Sequence, residues 1–162
     1  MCGIAGLYGL NDKDTVKLML NAQVNRGPDG DGIWSDEKHK ITLGHVRLSI
    51  IDVTNLGDQP MHYLNDRFTI SYNGEIYNYN ELKKTLLKYG YNFSSNSDTE
   101  VILAAYAHWG SSCLDRFRGM FSFVIFDKFP KNGQPSLFCA RDRLGIKPFL
   151  YAEIDSVFVF GS

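Results

Sequence analysis

Apolar residues recur along the chain with two periods, and the period switches several times. Residues 4–9 are short, apolar and punctuated by glycine, which predicts a buried strand. Val16, Met19, Leu20 and Val24 then fall at helical spacing, with Asp14 placed to cap the helix that carries them. Residues 26–32 are so rich in Gly, Pro and Asp that they predict a loop. Residues 32–35 and 41–45 read as the two strands of a hairpin. An apolar, β-branched run at 48–53 follows, and 55–60 breaks it. Residues 67–72 alternate as a strand does, and Asn73-Gly74 predicts a turn after them. Asn78-x-x-Glu81 and Ser97-x-x-Glu100 read as capping boxes. The first opens a helix with the stripe Leu82, Leu86, Tyr89, ended by Gly90; the second opens a helix through Val101, Ala105 and Trp109. Residues 120–127 and 137–140 are strongly apolar strands, and 148–151 and 157–160 add two short ones.

Strands arrive in runs and helices in pairs, which is an α+β pattern with mainly antiparallel sheet. No repeat or linker interrupts it, so residues 1–162 read as one domain. The hydrophobic share of 44% excludes a disordered chain. A net charge of −1 gives no electrostatic footprint for nucleic acid or an anionic membrane. No apolar run approaches the roughly 18 residues of a membrane span, and the N-terminus has no signal-peptide pattern. Three cysteines do not make a disulfide scaffold, so the cytoplasm is the simplest home. His39, His45, His62 and His108 are scattered without ligand spacing, and no metal site is expected.

The chemistry begins at Cys2. A cysteine after the initiator Met and before the small Gly3 suits Met removal, which would leave Cys2 with a thiol and a free α-amine. An α-amine ordinarily titrates at roughly 7.7–8.0, so one residue would supply nucleophile and base together. Cys113 and Cys139 sit in apolar stretches and read as buried structural residues. Arg47 offers a fork suited to a carboxylate. Asn73 and Gly74 offer a side-chain amide and a backbone N–H, the donors an oxyanion needs. Glu75 and Asp98 are two carboxylates suited to an ammonium group. Arg141, Arg143 and Lys147, interleaved with Asp142, read as a structural or interdomain cluster.

These residues lie within longer motifs. Met1-Cys2-Gly3-Ile4-Ala5-Gly6 is followed by Asn25-Arg26-Gly27-Pro28-Asp29, by Gly44-His45-Val46-Arg47-Leu48-Ser49-Ile50-Ile51-Asp52 and by Gln59-Pro60-Met61. Then come Tyr72-Asn73-Gly74-Glu75-Ile76-Tyr77-Asn78, Ser97-Asp98-Thr99-Glu100, Gly119-Met120-Phe121-Ser122-Phe123 and residues 141–148. In this order, over essentially the whole chain, they resemble a class II glutamine amidotransferase domain and, within that family, the N-terminal domain of glutamine-hydrolysing asparagine synthetases. The resemblance implies an N-terminal-nucleophile hydrolase: a four-layer αββα sandwich of two mainly antiparallel sheets.

It also implies roles. Cys2 becomes the nucleophile, and Asn73 and Gly74 the oxyanion donors. Arg47 anchors the glutamine α-carboxylate in a segment that includes Leu48 and Ile51, and Glu75 and Asp98 hold the α-ammonium. The implied substrate is free L-glutamine, hydrolysed to glutamate and ammonia for an asparagine synthetase-type C-terminal domain of the same longer chain. The chain stops directly after a strand, as a piece of such a polypeptide would. Related chains aminate sugars or other carboxylates, and a degenerate domain would only scaffold its synthetase; here no nucleophile or pocket residue is lost. No cofactor is expected in this domain, because ATP and Mg belong to the synthetase part; a homodimer stays open. Two departures stand out. Asn25 replaces the His usual before Arg-Gly-Pro-Asp, in a loop that helps cover the pocket, and Asp58 is a loop variation with no evident consequence.

Overall fold

The computed structural model describes residues 1–130 and 133–162. In chain order its strands are β1 (Gly3–Tyr8), β2 (Gly30–Asp36), β3 (Ile41–Arg47), β4 (Met61–Tyr63), β5 (Phe68–Ile76), β6 (Gly119–Asp127), β7 (Ser136–Arg141), β8 (Leu150–Ile154) and β9 (Val157–Gly161). The helices are α1 (Lys13–Asn21), α2 (Tyr79–Lys88) and α3 (Asp98–Trp109). Among the described residues one sheet has the order β2-β3-β1-β9-β8 and the other the order β4-β5-β6-β7, with every pairing antiparallel. No helix among them is long and apolar enough to cross a membrane.

Several local expectations change. Asp12, not Asp14, caps α1, its carboxylate accepting from the Thr15 amide at 3.0 Å. The helix ends before Val24, which is exposed in a 3-10 turn. Residues 30–32, expected as loop, begin β2 because β3 pairs with them as far as Gly30↔Arg47. The run 48–53 belongs to neither sheet. Asn73-Gly74 does not turn: β5 runs through it, paired residue by residue with β6. Long-range pairing overrides the local turn preference there. Ser97 caps α3 through the Thr99 amide at 3.2 Å, but Glu100 accepts from Ser94 and Ser95 instead of returning to Ser97. Asn78 holds the N-cap position of α2 while its side chain bridges the Arg116 carbonyl and the Arg118 amide.

Three apolar clusters define four layers. Val16 and Leu20 of α1 pack on Ala5, Leu7 and Val46 of the first sheet. Ile4, Ile41, Leu43, Val124, Phe126 and Phe160 fill the space between the sheets. Leu82 and Leu86 of α2 and residues 101–105 of α3 pack on Phe68, Ile70, Tyr72, Phe121 and Phe123 of the second sheet. The order is therefore αββα, the sandwich that the motif resemblance implied.

Strand alternation then places the polar residues. Side chains two apart share a face. Ile41 and Leu43 point between the sheets, so His45 and Arg47 follow them on β3. Phe68, Ile70 and Tyr72 point at α2 and α3, so Ser71 and Asn73 point between the sheets. Val124 and Phe126 bring Ser122 with them, directly across from Asn73. The inter-sheet layer is thus apolar at one end and polar at the other. Ser71 Oγ donates across it to the Gly44 carbonyl at 2.7 Å. Cys2 sits at that polar end, two residues before Ile4.

Candidate active site

All eight residues singled out for a site line one cavity of about 170 Å³: Cys2, Arg47, Leu48, Ile51, Asn73, Gly74, Glu75 and Asp98. That is well below the roughly 300–1,000 Å³ of pockets for drug-sized ligands, and it suits a single amino acid. A larger open hollow of about 720 Å³ lies elsewhere, between the β4–β5 turn and the ends of α2 and α3. It holds no thiol, and its buried carboxylate, Glu100, is occupied by Ser94 and Ser95.

The nucleophile candidate is held by its neighbours. The Leu48 amide donates to Cys2 Sγ at 3.3 Å, and the thiol faces the Leu48 carbonyl at 3.6 Å. Arg26 Nε donates to the Cys2 carbonyl at 3.1 Å. Arg26 comes from the turn before Gly27, where an added Cβ would lie 2.3 Å from the backbone of Val46. Only glycine lets this loop press against the end of β3.

The candidate oxyanion donors arise from β5. Asn73 is 1% exposed, and its Nδ2 finds no acceptor among the described residues. Alternate residues of a strand aim their N–H groups at the same edge. The Tyr72 amide donates to Gln59 Oε1 at 2.6 Å and the Ile76 amide to Asp98 Oδ2 at 2.9 Å, so Gly74 N–H points to this edge between them. Across the ladder, Phe121 turns its amide and carbonyl toward Asp142, away from Gly74. β4 pairs only with residues 68–70, which leaves the edge open where Gly74 meets the cavity. A Cβ on Gly74 would lie 2.3 Å from the Met120 carbonyl oxygen, so a larger residue would displace the strand.

The charges are separated. Asp98, 4% exposed, accepts from the Tyr72 hydroxyl at 2.7 Å and the Ile76 amide. Burial pushes its carboxyl above the usual range; those hydrogen bonds oppose the shift and the charge of Glu75 adds to it. Burial brings His45 down to about 4, against the favourable Tyr72 carbonyl, so its imidazole is neutral at pH 7. A carbonyl only accepts, so His45 Nε2 carries the proton and donates to Tyr72 at 3.1 Å. Arg47 gathers the loop after β3. Nη1 donates to the Thr54 carbonyl at 3.0 Å and to Asp58 Oδ1 at 2.6 Å, and Nη2 donates to the Asp52 carbonyl. The Asp52 carboxylate in turn takes the Asn96 amide at 2.9 Å, tying this loop to the segment before α3. Hydrogen bonds from Thr54 and Asn96 hold the Asp52 carboxyl below its usual range.

Several residues of the cavity escaped the sequence reading. Tyr72, Gln59 and Thr99 are bound into its walls, and periodicity gave no sign of it. Lys147, expected to be structural or interdomain, is 5% exposed and lines the cavity. Asp58, expected to be inconsequential, forms an ion pair with Arg47. Among the described residues no group of three or more His, Cys, Asp or Glu side chains could hold a metal ion.

A family model described as a glutamine amidotransferase domain matches residues 1–162. Asparagine synthetase [glutamine-hydrolyzing] 3 of Bacillus subtilis is 41% identical over 169 residues, which cover all of this chain and 26% of that protein. Putative asparagine synthetase [glutamine-hydrolyzing] 2 of Methanocaldococcus jannaschii is 41% identical over 181 residues, covering 100% of this chain and 34% of that protein. The chain thus spans about a quarter to a third of the length of these relatives. Among solved structures, glutamine phosphoribosylpyrophosphate amidotransferase from B. subtilis, complexed with ADP and GMP, matches with a TM-score of 0.81. That match covers 99% of this chain and 41% of the other at 21% identity, and it identifies the fold.

Proposed function

The chain belongs to the glutamine amidotransferase domain family, and from that premise we propose that it hydrolyses free L-glutamine through a thioester on Cys2. The observation that carries the reading is the Asn73 amide: a buried donor without an acceptor among the described residues, in the same cavity as a thiol. Such a donor is costly in a resting protein and useful to a transition state that develops negative charge.

The proposed steps use this chain's own groups. With Met1 removed, the Cys2 amine takes the thiol proton and Sγ attacks the side-chain carbonyl carbon of glutamine. The resulting oxyanion accepts hydrogen bonds from Asn73 Nδ2 and Gly74 N–H. The amine passes its proton to the leaving nitrogen, the C–N bond breaks, and ammonia departs from a γ-glutamyl thioester. Water, deprotonated by the same amine, attacks the thioester; the C–S bond breaks and glutamate is released. Arg47 takes the α-carboxylate, and Glu75 with Asp98 takes the α-ammonium. A glutamine side chain within a protein lacks both charges, so the free amino acid is preferred. We place the acceptor of the ammonia in an asparagine synthetase-type domain of a longer cytoplasmic chain. The two synthetase relatives, both several times longer than this segment, support that assignment. ATP and Mg would be held there, with no cofactor in this domain.

Intact-mass spectrometry before and after a glutamine-mimicking diazoketone tests the reading. The expected result is loss of Met1 and one adduct on Cys2; loss of Met1 without an adduct would overturn it. Asp98→Asn should raise KM for glutamine roughly 10- to 100-fold, the scale of one charge-assisted hydrogen bond, with a smaller change in kcat. Asn keeps an acceptor for Tyr72 and Ile76, so the wall is preserved. The pH dependence has a definite sign. Protonated Asp98 does not attract an ammonium group, so KM should rise as pH falls through its elevated titration range. Steady-state kinetics across pH should show that limb flattened in Asp98→Asn.

A further inference from the structure

The Arg47 guanidinium already has a carboxylate of its own. Asp58 Oδ1 lies 2.6 Å from Nη1, while Nη2 and the remaining Nη1 bond go to the backbone carbonyls of Asp52 and Thr54. Three of the five guanidinium N–H groups are therefore used within the protein. The two carbonyls, two positions apart in one loop, already hold both ends of the guanidinium fork. Asp58 adds a negative charge instead, and its side chain is 60% exposed against 11% for Arg47. Arg47 also lines two hollows at once: the cavity with Cys2, and a neighbouring one of about 190 Å³ that Asp29, Asp31 and Asp58 border.

We propose that Asp58 is a built-in competitor for the substrate's α-carboxylate, an exposed acid that pairs with Arg47 in the empty site and weakens glutamine binding. The inference rests on the glutamine reading above. When a carboxylate arrives at Arg47, two anions face one cation. Either Asp58 swings into solvent, which its exposure allows, or it stays and repels the newcomer. Both routes lower affinity for a ligand with an α-carboxylate, and neither touches the reaction at Sγ. Asp58 thus acts through Arg47 and not on the reacting atoms, setting the glutamine concentration at which the site fills.

The test uses the mature full-length protein and two Cys2 reagents. One is the diazoketone analogue of glutamine, which carries the α-carboxylate; the other is iodoacetamide, which does not. In Asp58→Asn the KI for the diazoketone should fall roughly two- to fivefold, the scale of a half-exposed ion pair. The effect should appear in KI and not in the limiting inactivation rate, and the iodoacetamide rate should stay the same. Asp58→Ala should behave alike, since position 58 is exposed and neither change disturbs the core. Asp31→Asn removes the same charge from the same hollow without breaking the Arg47 pair, and should leave KI unchanged. An unchanged or higher KI in both Asp58 variants would overturn the proposal, the higher value meaning that Asp58 holds Arg47 in place. An equal drop in Asp31→Asn would also overturn it, in favour of a general charge effect. If the parent protein reacts with iodoacetamide at Cys2 but never with the diazoketone, the glutamine reading itself fails and this inference falls with it.

Discussion

Cys2→Ala is expected to lower glutamine turnover by on the order of 10⁶, the loss seen when a nucleophile is removed from a preorganised site. The other two thiols cannot substitute. Cys113 packs within the α-side core and Cys139 against the inter-sheet cluster, and burial pushes both up to about 12. At pH 7 both are therefore held as protonated, unreactive thiols. Neither lines the cavity where the Leu48 amide meets Cys2. The Ala variant keeps the backbone carbonyl that Arg26 holds, so the N-terminal segment should stay in place. It should also keep the Arg47, Glu75 and Asp98 contacts and still bind glutamine, which calorimetry can measure. The expected pattern is binding without hydrolysis and without diazoketone labelling. Turnover that persists in Cys2→Ala would remove the thioester from the mechanism.

The antiparallel α+β pattern was legible because its strands and helices keep clean periods, while the four-layer sandwich followed only from the motif resemblance. The stripe Val16, Met19, Leu20 and the alternation of 67–72 each name an inner face, and the structure packs those faces. The convergence of Cys2, Arg47, Asn73 and Asp98 was not legible from period or composition. Those residues lie just before β1, on β3, on β5 and at the start of α3, and only the motif resemblance put them in one site. Turn chemistry misled at Asn73-Gly74, where pairing with β6 along all of β5 keeps the strand straight. The same glycine is still required there, for close approach to Met120 and not for a turn. The Asp58–Arg47 pair was invisible because 11 positions in sequence separate two residues that one loop closes together. Lys147 was read with Arg141 and Arg143 as structural or interdomain, and nothing in its spacing told that it lines the cavity; its carbonyl is held by Arg141, its amide by Asp142, and the residue is buried.

Asn73→Ala should lower kcat by about 10²–10³, the usual loss for one oxyanion donor, while KM moves only a few-fold. The split follows from the resting state. Nδ2 has no acceptor among the described residues before the reaction, so its removal takes nothing from the ground state that glutamine would miss. The bond forms only when the carbonyl oxygen becomes an anion, and a bond made only in the transition state appears in kcat. Stability supplies an independent check. A buried amide that served the fold would be hydrogen-bonded, and truncating it would cost about 1 kcal/mol or more. At position 73 the truncation deletes an unpaired buried donor, so urea denaturation should show the unfolding free energy nearly unchanged, the lost packing offset by relief of the desolvated N–H. Asn73→Asp should reduce kcat at least as much, because it keeps the shape and turns the donor into an acceptor that repels the oxyanion. A large loss of stability with intact kcat per folded molecule would make Asn73 a structural residue of β5 and leave Gly74 N–H as the only oxyanion donor assigned on this strand.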